Sequence, residues 1–288
     1  MKPITKLMLS MALLAPAVAP AYEVEEIGSF HIGGRQATLT GAPPRDVQFV
    51  PGGLVTRVDP NGEFEVEQMY VQYVKLTKPQ ARYPMLMWHG GGLTGVTWET
   101  KPDGKPGWQQ YFLKAGHSVY VSDAVERGRA SWARYPEIYK TEPVFRIKKE
   151  AWELFRIGPD GSYTDSNKRT HHPGTQFPLE AFDQFGKQGV ARWVDTDAAT
   201  QRAYNQLVQR ACPCTLVAHS QGGPFAAAAT LAAPDKVKAL VLVEPSATTL
   251  YAEANWATLK GVPVLIVDRK STRLNSSPVS ESRMPSSA

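Results

Sequence analysis

A chain of 288 residues with 42% hydrophobic and 20% charged residues holds enough apolar material for a large buried core, which excludes a disordered or low-complexity protein. Its formal charge of +5 is carried by the ends: Lys2 and Lys6 supply two of the charges and residues 269–288 supply three, so residues 22–268 balance to zero. That balance removes any electrostatic case for nucleic-acid or membrane-surface binding by the body of the chain.

Residues 1–21 have the layout of a signal peptide. Lys2 and Lys6 precede an apolar run from Leu7 to Leu14, and Ala19-Pro20-Ala21 supplies an A-x-A cleavage site. The run is too short to span a bilayer, so stable membrane insertion is not expected. The expectation is export to a periplasm or beyond, with the mature chain starting near Tyr22.

Ile27–Ile32 and Val66–Leu76 then have strand character. In the second, Val66, Tyr70 and Val74 mix with Glu67, Gln68 and Gln72 in a half-buried pattern, and Asp59-Pro60-Asn61-Gly62 before it is a turn. These two form the antiparallel entry to a sheet. Met85–Trp88 has no polar interruption, as a strand covered on both faces requires. It runs into His89-Gly90-Gly91-Gly92, a loop whose backbone can approach something closely. No nucleotide-binding string accompanies these glycines, which argues against a phosphate cradle.

Trp98–Gly104 is turn-rich, Trp108–Ala115 is a short helix closed by Gly116, and His117–Ser122 is a strand ended by Asp123. Strand, helix and strand in that order imply a parallel crossover. Residues 124–190 break the rhythm with Arg, Pro, Gly and aromatics, among them Trp132, Tyr135, Tyr139, Trp152, Phe155, Phe177 and Phe182. An insertion of this length suits a lid or binding element, its aromatics forming either an apolar roof or a small core of their own. Arg127, Arg129 and Arg134 suit a solvated face better than an anion site. His171-His172, without a third ligand nearby, suits the surface better than a metal.

Ala191–Ala211 has helical spacing. Cys212 and Cys214 follow with only Pro213 between them; a bridge across one residue is unfavourable, so packed or free thiols are expected. Thr215-Leu216-Val217-Ala218-His219-Ser220-Gln221-Gly222-Gly223 passes from an aliphatic run to a serine among small residues, and the alanine-rich Phe225–Ala233 follows. That pattern is strand, tight turn, helix, with Ser220 at the turn. The simplest alternative makes Ser220 a helix cap. Val237–Val243 is an apolar strand ending at Glu244-Pro245, and Val262–Val267 is another. From 268 to 288 the text turns Ser-rich and basic and loses hydrophobic periodicity.

The loop His89-Gly90-Gly91-Gly92, the run His219-Ser220-Gln221-Gly222-Gly223 and Glu244 after the next strand resemble an exported bacterial esterase branch of the α/β-hydrolase superfamily. Over most of residues 60–267 the resemblance implies an α/β-hydrolase fold: a mostly parallel sheet with helices on both faces and an inserted lid at about 124–190. The domains are then 1–21 signal peptide, 22–267 hydrolase domain and 268–288 a non-native or disordered tail. The tail, beginning Arg269-Lys270-Ser271-Thr272-Arg273-Leu274, resembles a translated sequencing adaptor, which implies a truncated reading frame that has lost the last strand and helix.

The resemblance also implies chemistry. Ser220 is the nucleophile and Glu244 the acid, with Asp123 the runner-up. Gly91 or Gly92 and Gln221 donate backbone N–H groups to an oxyanion hole. The substrate is a small-molecule ester, no cofactor or metal is called for, and a homodimer is a common assembly. The superfamily order is Ser, acid, His, yet all six histidines lie at or before His219. The catalytic His is therefore absent from this chain, and the recorded polypeptide is expected to be close to inactive. His89 is expected to brace the glycine loop, and His219 to point away from the nucleophile. The alternatives are a non-catalytic binding protein on the same fold, or a hydrolase of amides or lactones.

Overall fold

The computed structural model describes residues 22–246, 259 and 261–267. The signal peptide and the tail expected at 1–21 and 268–288 lie outside them. The strands are β1 (Val24–Leu39), β2 (Arg45–Gln48), β3 (Val55–Val58), β4 (Gly62–Leu76), β5 (Met85–Trp88), β6 (Val119–Asp123), β7 (Tyr163–Asp165), β8 (Lys168–Arg169), β9 (Cys214–His219), β10 (Val237–Val243) and β11 (Val264–Val267). The helices are α1 (Val96–Glu99), α2 (Trp108–Lys114), α3 (Lys148–Leu154), α4 (Phe182–Gly186), α5 (Asp197–Ala211) and α6 (Gly222–Ala232), with a 3-10 turn at Leu179–Ala181.

Among the described residues the main sheet has seven strands in the order β1-β4-β6-β5-β9-β10-β11. β1 and β4 pair antiparallel, β4 meets β6 antiparallel, and β6, β5, β9, β10 and β11 run parallel. The apolar runs alternate across the sheet as period-two strands must. Leu86, Trp88, Leu216 and Ala218 face a core built with α5 and α6, while Met85, Met87 and Val217 face a second core with Trp98 of α1 and Leu113 of α2. Trp88 stacks on Tyr204 of α5 with ring centroids 3.7 Å apart. This is the α/β-hydrolase architecture, helices on both faces of a mostly parallel sheet.

Three expectations need correction, and one element was not expected. The helix expected from Ala191 begins at Asp197, because Arg192 is tied by its backbone to Val144 and Trp193 is buried with Val66, Ala133 and Tyr139. The exposed hairpin of β2 and β3 has too little apolar alternation to be read from the sequence. Cys212 and Cys214 are bridged: the chain reverses at Pro213 between α5 and β9, bringing their Cα atoms to 4.3 Å. The arginines thought to form a solvated face are committed: Arg127 is buried, Arg129 pairs with Asp123 and Glu99, and Arg134 pairs with Glu137.

The insertion is both things its aromatics allowed. Trp152, Tyr163 and Phe182 form a small core with Ala151 and Ile157, and Phe155, Phe177 and Phe185 pack against it from the cavity side.

Packing is tight where α6 leaves β9. A Cβ on Gly222 would stand 2.8 Å from the His89 carbonyl oxygen and 3.0 Å from that of Trp88, both backbone atoms with little room to retreat. Gly222→Val is expected to lower the free energy of unfolding by about 1–3 kcal/mol, read as a lower urea midpoint at unchanged m-value.

Candidate active site

Ser220 closes β9 with φ +50°, in the left-handed region that a residue with a Cβ seldom enters. The turn is held from both sides. Its N–H donates to Val243 O at 3.1 Å, and its carbonyl accepts from Gly223 N–H at 2.9 Å and Ser246 N–H at 3.0 Å. The same bonds fix the exit of β10, where Glu244 also has a positive φ, +44°, and donates its N–H to Val267 O. Serine and carboxylate therefore sit at the carboxyl edge of adjacent parallel strands, each on a backbone constrained by the other. In open α/β sheets that edge is where ligands bind.

A cavity of about 780 Å³ opens over this edge. Ser220, Gln221, Glu244 and Gly91 line it, together with Leu154, Phe155, Phe177 and Phe185 from the insertion. The structure thus brings Ser220, Gln221, Gly91 and Glu244 to one space. Neither Gly91 N–H nor Gln221 N–H has a backbone acceptor among the described residues. Gly92 is different. It is outside the lining, has φ +70°, and its carbonyl accepts from Val190 N–H at 3.0 Å, so it turns the loop into the end of the insertion.

His89 braces the loop as expected. It is 4% exposed, its Nδ1 contacts Gly90 O at 2.8 Å, and its Nε2 accepts from Ala124 N–H at 3.0 Å. Those contacts leave the neutral ring with its proton on Nδ1. Burial pushes its pKa down to about 4. His219 packs against Gly90 and reaches the cavity wall, where burial also lowers its pKa. Among the described residues no histidine hydrogen-bonds Ser220. Of the adjacent pair expected on the surface, His171 is exposed but His172 is half-buried and lines the cavity. Among the described residues no group of three or more His, Cys, Asp or Glu side chains is placed to hold a metal.

The two candidate acids separate clearly. Asp123 is fully buried and spent: Oδ1 accepts from Gly95 N–H and Arg129 Nη2, and Oδ2 from Arg129 N–H and Nε. Burial pushes its pKa up, but the Arg129 side chain and the two amides outweigh burial and hold it below the usual carboxylate range. Glu244 is partly exposed in the cavity and pairs with Arg156 Nη2 at 3.0 Å. Arg156 comes from the insertion, with φ +56°, and nothing local in the sequence marks it as the partner of a residue 88 positions away.

Comparison with known proteins agrees with this architecture. A family profile described as the alpha/beta hydrolase fold matches residues 212–263, the stretch that includes β9, the Ser220 turn, α6 and β10. A solved structure titled "The Atomic Resolution Structure of a Novel Bacterial Esterase" is 30% identical, with a TM-score of 0.67, covering 88% of this chain and 77% of that one. The chain belongs to the α/β-hydrolase family. A fungal relative from Fungal sp. (strain ATCC 74256), named "Probable secreted lipase phiG", is 31% identical over 189 residues. That match takes in 64% of this chain and 51% of the relative, so the chain spans about half the length of this curated relative. No helix among the described residues is long and apolar enough to cross a membrane.

The buried His89 makes stability depend on pH. Its folded-state pKa lies below the ordinary 6.5, so between pH 6.5 and 4 the unfolded chain binds a proton that the folded protein refuses. Stability is therefore lost as pH falls through that window, by about 3 kcal/mol at most. Urea unfolding at pH 7 and pH 4.5 measures the loss, and His89→Gln is expected to flatten it.

Proposed function

We propose that the protein is a serine hydrolase of carboxylic esters acting through an acyl-enzyme. One observation carries this reading: Ser220, on a left-handed turn, shares a cavity with Gly91 and Gln221, whose N–H groups lack backbone acceptors. In the proposed reaction Ser220 Oγ attacks the ester carbonyl, and the carbonyl oxygen takes the developing charge against those two donors. Each donor is worth roughly 2.7–4 kcal/mol of transition-state stabilisation in comparable sites. Glu244 orients the base. The saturated hydrogen bonding of Asp123 disfavours it for that role.

The base itself is proposed to be a histidine encoded beyond Val267 in the uninterrupted gene, since no histidine follows Glu244 here. The polypeptide as recorded is then nearly inactive, because nucleophile, base and acid work as a unit. Export through residues 1–21 belongs to the same proposal, and the name of the fungal relative, a secreted lipase, favours it. Residues 22–267 are the catalytic domain, and the insertion at 124–190 is its lid.

One observation favours the non-catalytic alternative. Arg156 occupies Glu244 at 3.0 Å, where an enzyme needs that carboxylate for its base. The complete reading frame separates the two. With a histidine restored after a final strand, the protein is expected to hydrolyse p-nitrophenyl acetate, and Ser220→Ala to lower kcat/KM by at least about 10³-fold. Glu244→Gln should lower kcat with little change in thermal stability, while Asp123→Asn should mainly destabilise, by about 2–3 kcal/mol. A complete frame lacking that histidine, with no Ser220-dependent hydrolysis, would establish the binding protein instead. Appreciable hydrolysis by residues 22–288, abolished by Ser220→Ala, would refute the inactivity of the recorded chain.

A further inference from the structure

Among the described residues the cavity over Ser220 carries three arginines, Arg146, Arg156 and Arg192, against one carboxylate, Glu244. Their partners distinguish them. Arg156 is taken by Glu244, and Arg146 donates through Nη1 to Glu150 while its Nε is buried without an acceptor. The Arg192 side chain donates to none of the described residues, and its Nε too is buried and unsatisfied. A guanidinium N–H withdrawn from water without an acceptor is costly to the fold, and the rest of the half-buried Arg192 side chain lines the cavity.

Its position is fixed and close to the proposed chemistry. The Arg192 backbone is clamped on both sides by Val144, N–H to O and O to N–H, each at 2.8 Å, and the next residue, Trp193, is 1% exposed. Nη1 of Arg192 lies 3.4 Å from the point a Cβ on Gly91 would occupy, and Gln221 Oε1 lies 2.9 Å from that point. The charge therefore stands beside the glycine loop. Behind it Arg127 is 4% exposed with an unsatisfied Nη1, and burial and the charge of Arg192 lower its pKa to about 10. Arg127 has the charge of Asp197 to offset its own, whereas Arg192 forms no ion pair among the described residues, and an anion would complete its field.

We propose that Arg192 recognises a carboxylate carried by the substrate, so that the cavity takes half-esters of dicarboxylic acids in preference to neutral esters. The proposal rests on the ester-hydrolase reading and names its substrate class. A carboxylate fits because one planar guanidinium fork is free and offers two parallel N–H donors, the match for a single planar acid group. Arg146 lines the same cavity and adds a second positive charge. Phe155, Phe177 and Phe185 line the rest and suit an apolar or aromatic alcohol group.

The test uses the recorded chain in a Ser220→Ala background, so that neither ligand is consumed. Isothermal titration calorimetry compares monobenzyl succinate with its neutral counterpart, benzyl methyl succinate. The half-ester is expected to bind at least about tenfold tighter, the range of one charge-assisted hydrogen-bonded contact. Arg192→Gln should reduce that preference below about twofold, and Arg192→Lys should keep part of it through a point charge without the fork. Circular dichroism confirms that both variants are folded. Equal affinities in the parent, no binding of either ester, or a preference that survives Arg192→Gln overturns the proposal. An equal loss for both esters in Arg192→Gln also overturns it, since Arg192 would then act on the ester carbonyl common to both. Hydrolysis by the complete protein is measured separately. Ser220-dependent turnover without carboxylate preference removes only this inference, whereas preference without turnover removes only the esterase reading.

Discussion

Everything at the site depends on one backbone turn. Ser220 enters the left-handed region, and its amide and carbonyl are both engaged by the chain leaving β10. A non-glycine residue in that conformation costs of order 1–3 kcal/mol unless its surroundings impose it. Here the surroundings do so twice: Gly222 allows α6 to start against the backbone of Trp88 and His89, and the Val243 and Ser246 bonds leave the serine little alternative. The hydroxyl is displayed at the sheet edge because the strands beneath it are too well packed to relax.

The glycine loop is built on a second constraint, the buried polar group of His89. A neutral imidazole with both nitrogens engaged ties the end of β5 to the end of β6, through Gly90 and Ala124. Asp123 and Arg129 tie the same strand ends on the other side, through Gly95. Satisfied buried polar networks of this kind are rigid because every broken bond exposes an unpaired group. That rigidity keeps the glycine loop against Ser220, where a Cβ on Gly90 would stand 3.1 Å from the serine Cβ, while Gly92 joins the loop to Val190.

The insertion contributes differently. Its own aromatic core makes it a semi-independent body, and its inner surface supplies the cavity with phenylalanines and charge. Arg156 reaches Glu244, and Arg146 and Arg192 add positive potential beside the strand edge. Apolar walls with a few fixed charged groups are the usual composition of a small-molecule site. The sheet fixes where the site is, and the insertion fixes its character.

The sequence by itself determined the main strands of the sheet and the turn at Ser220. Met85–Trp88 is apolar throughout, and Val237–Val243 and the run into Ser220 are apolar or small apart from Lys238 and His219, so local composition suffices where the sheet is covered on both faces. It also determined that His89 and the glycines belong together. Only the tertiary structure decided which charges meet. Arg127 buried instead of solvated, Arg156 on Glu244, Asp123 saturated by Arg129, and the bridged Cys212 and Cys214 all depend on contacts or chain reversals that leave no periodic trace. Hydrophobic burial is written in the spacing of neighbours along the chain, whereas the pairing of polar groups is set by where the fold brings distant segments together.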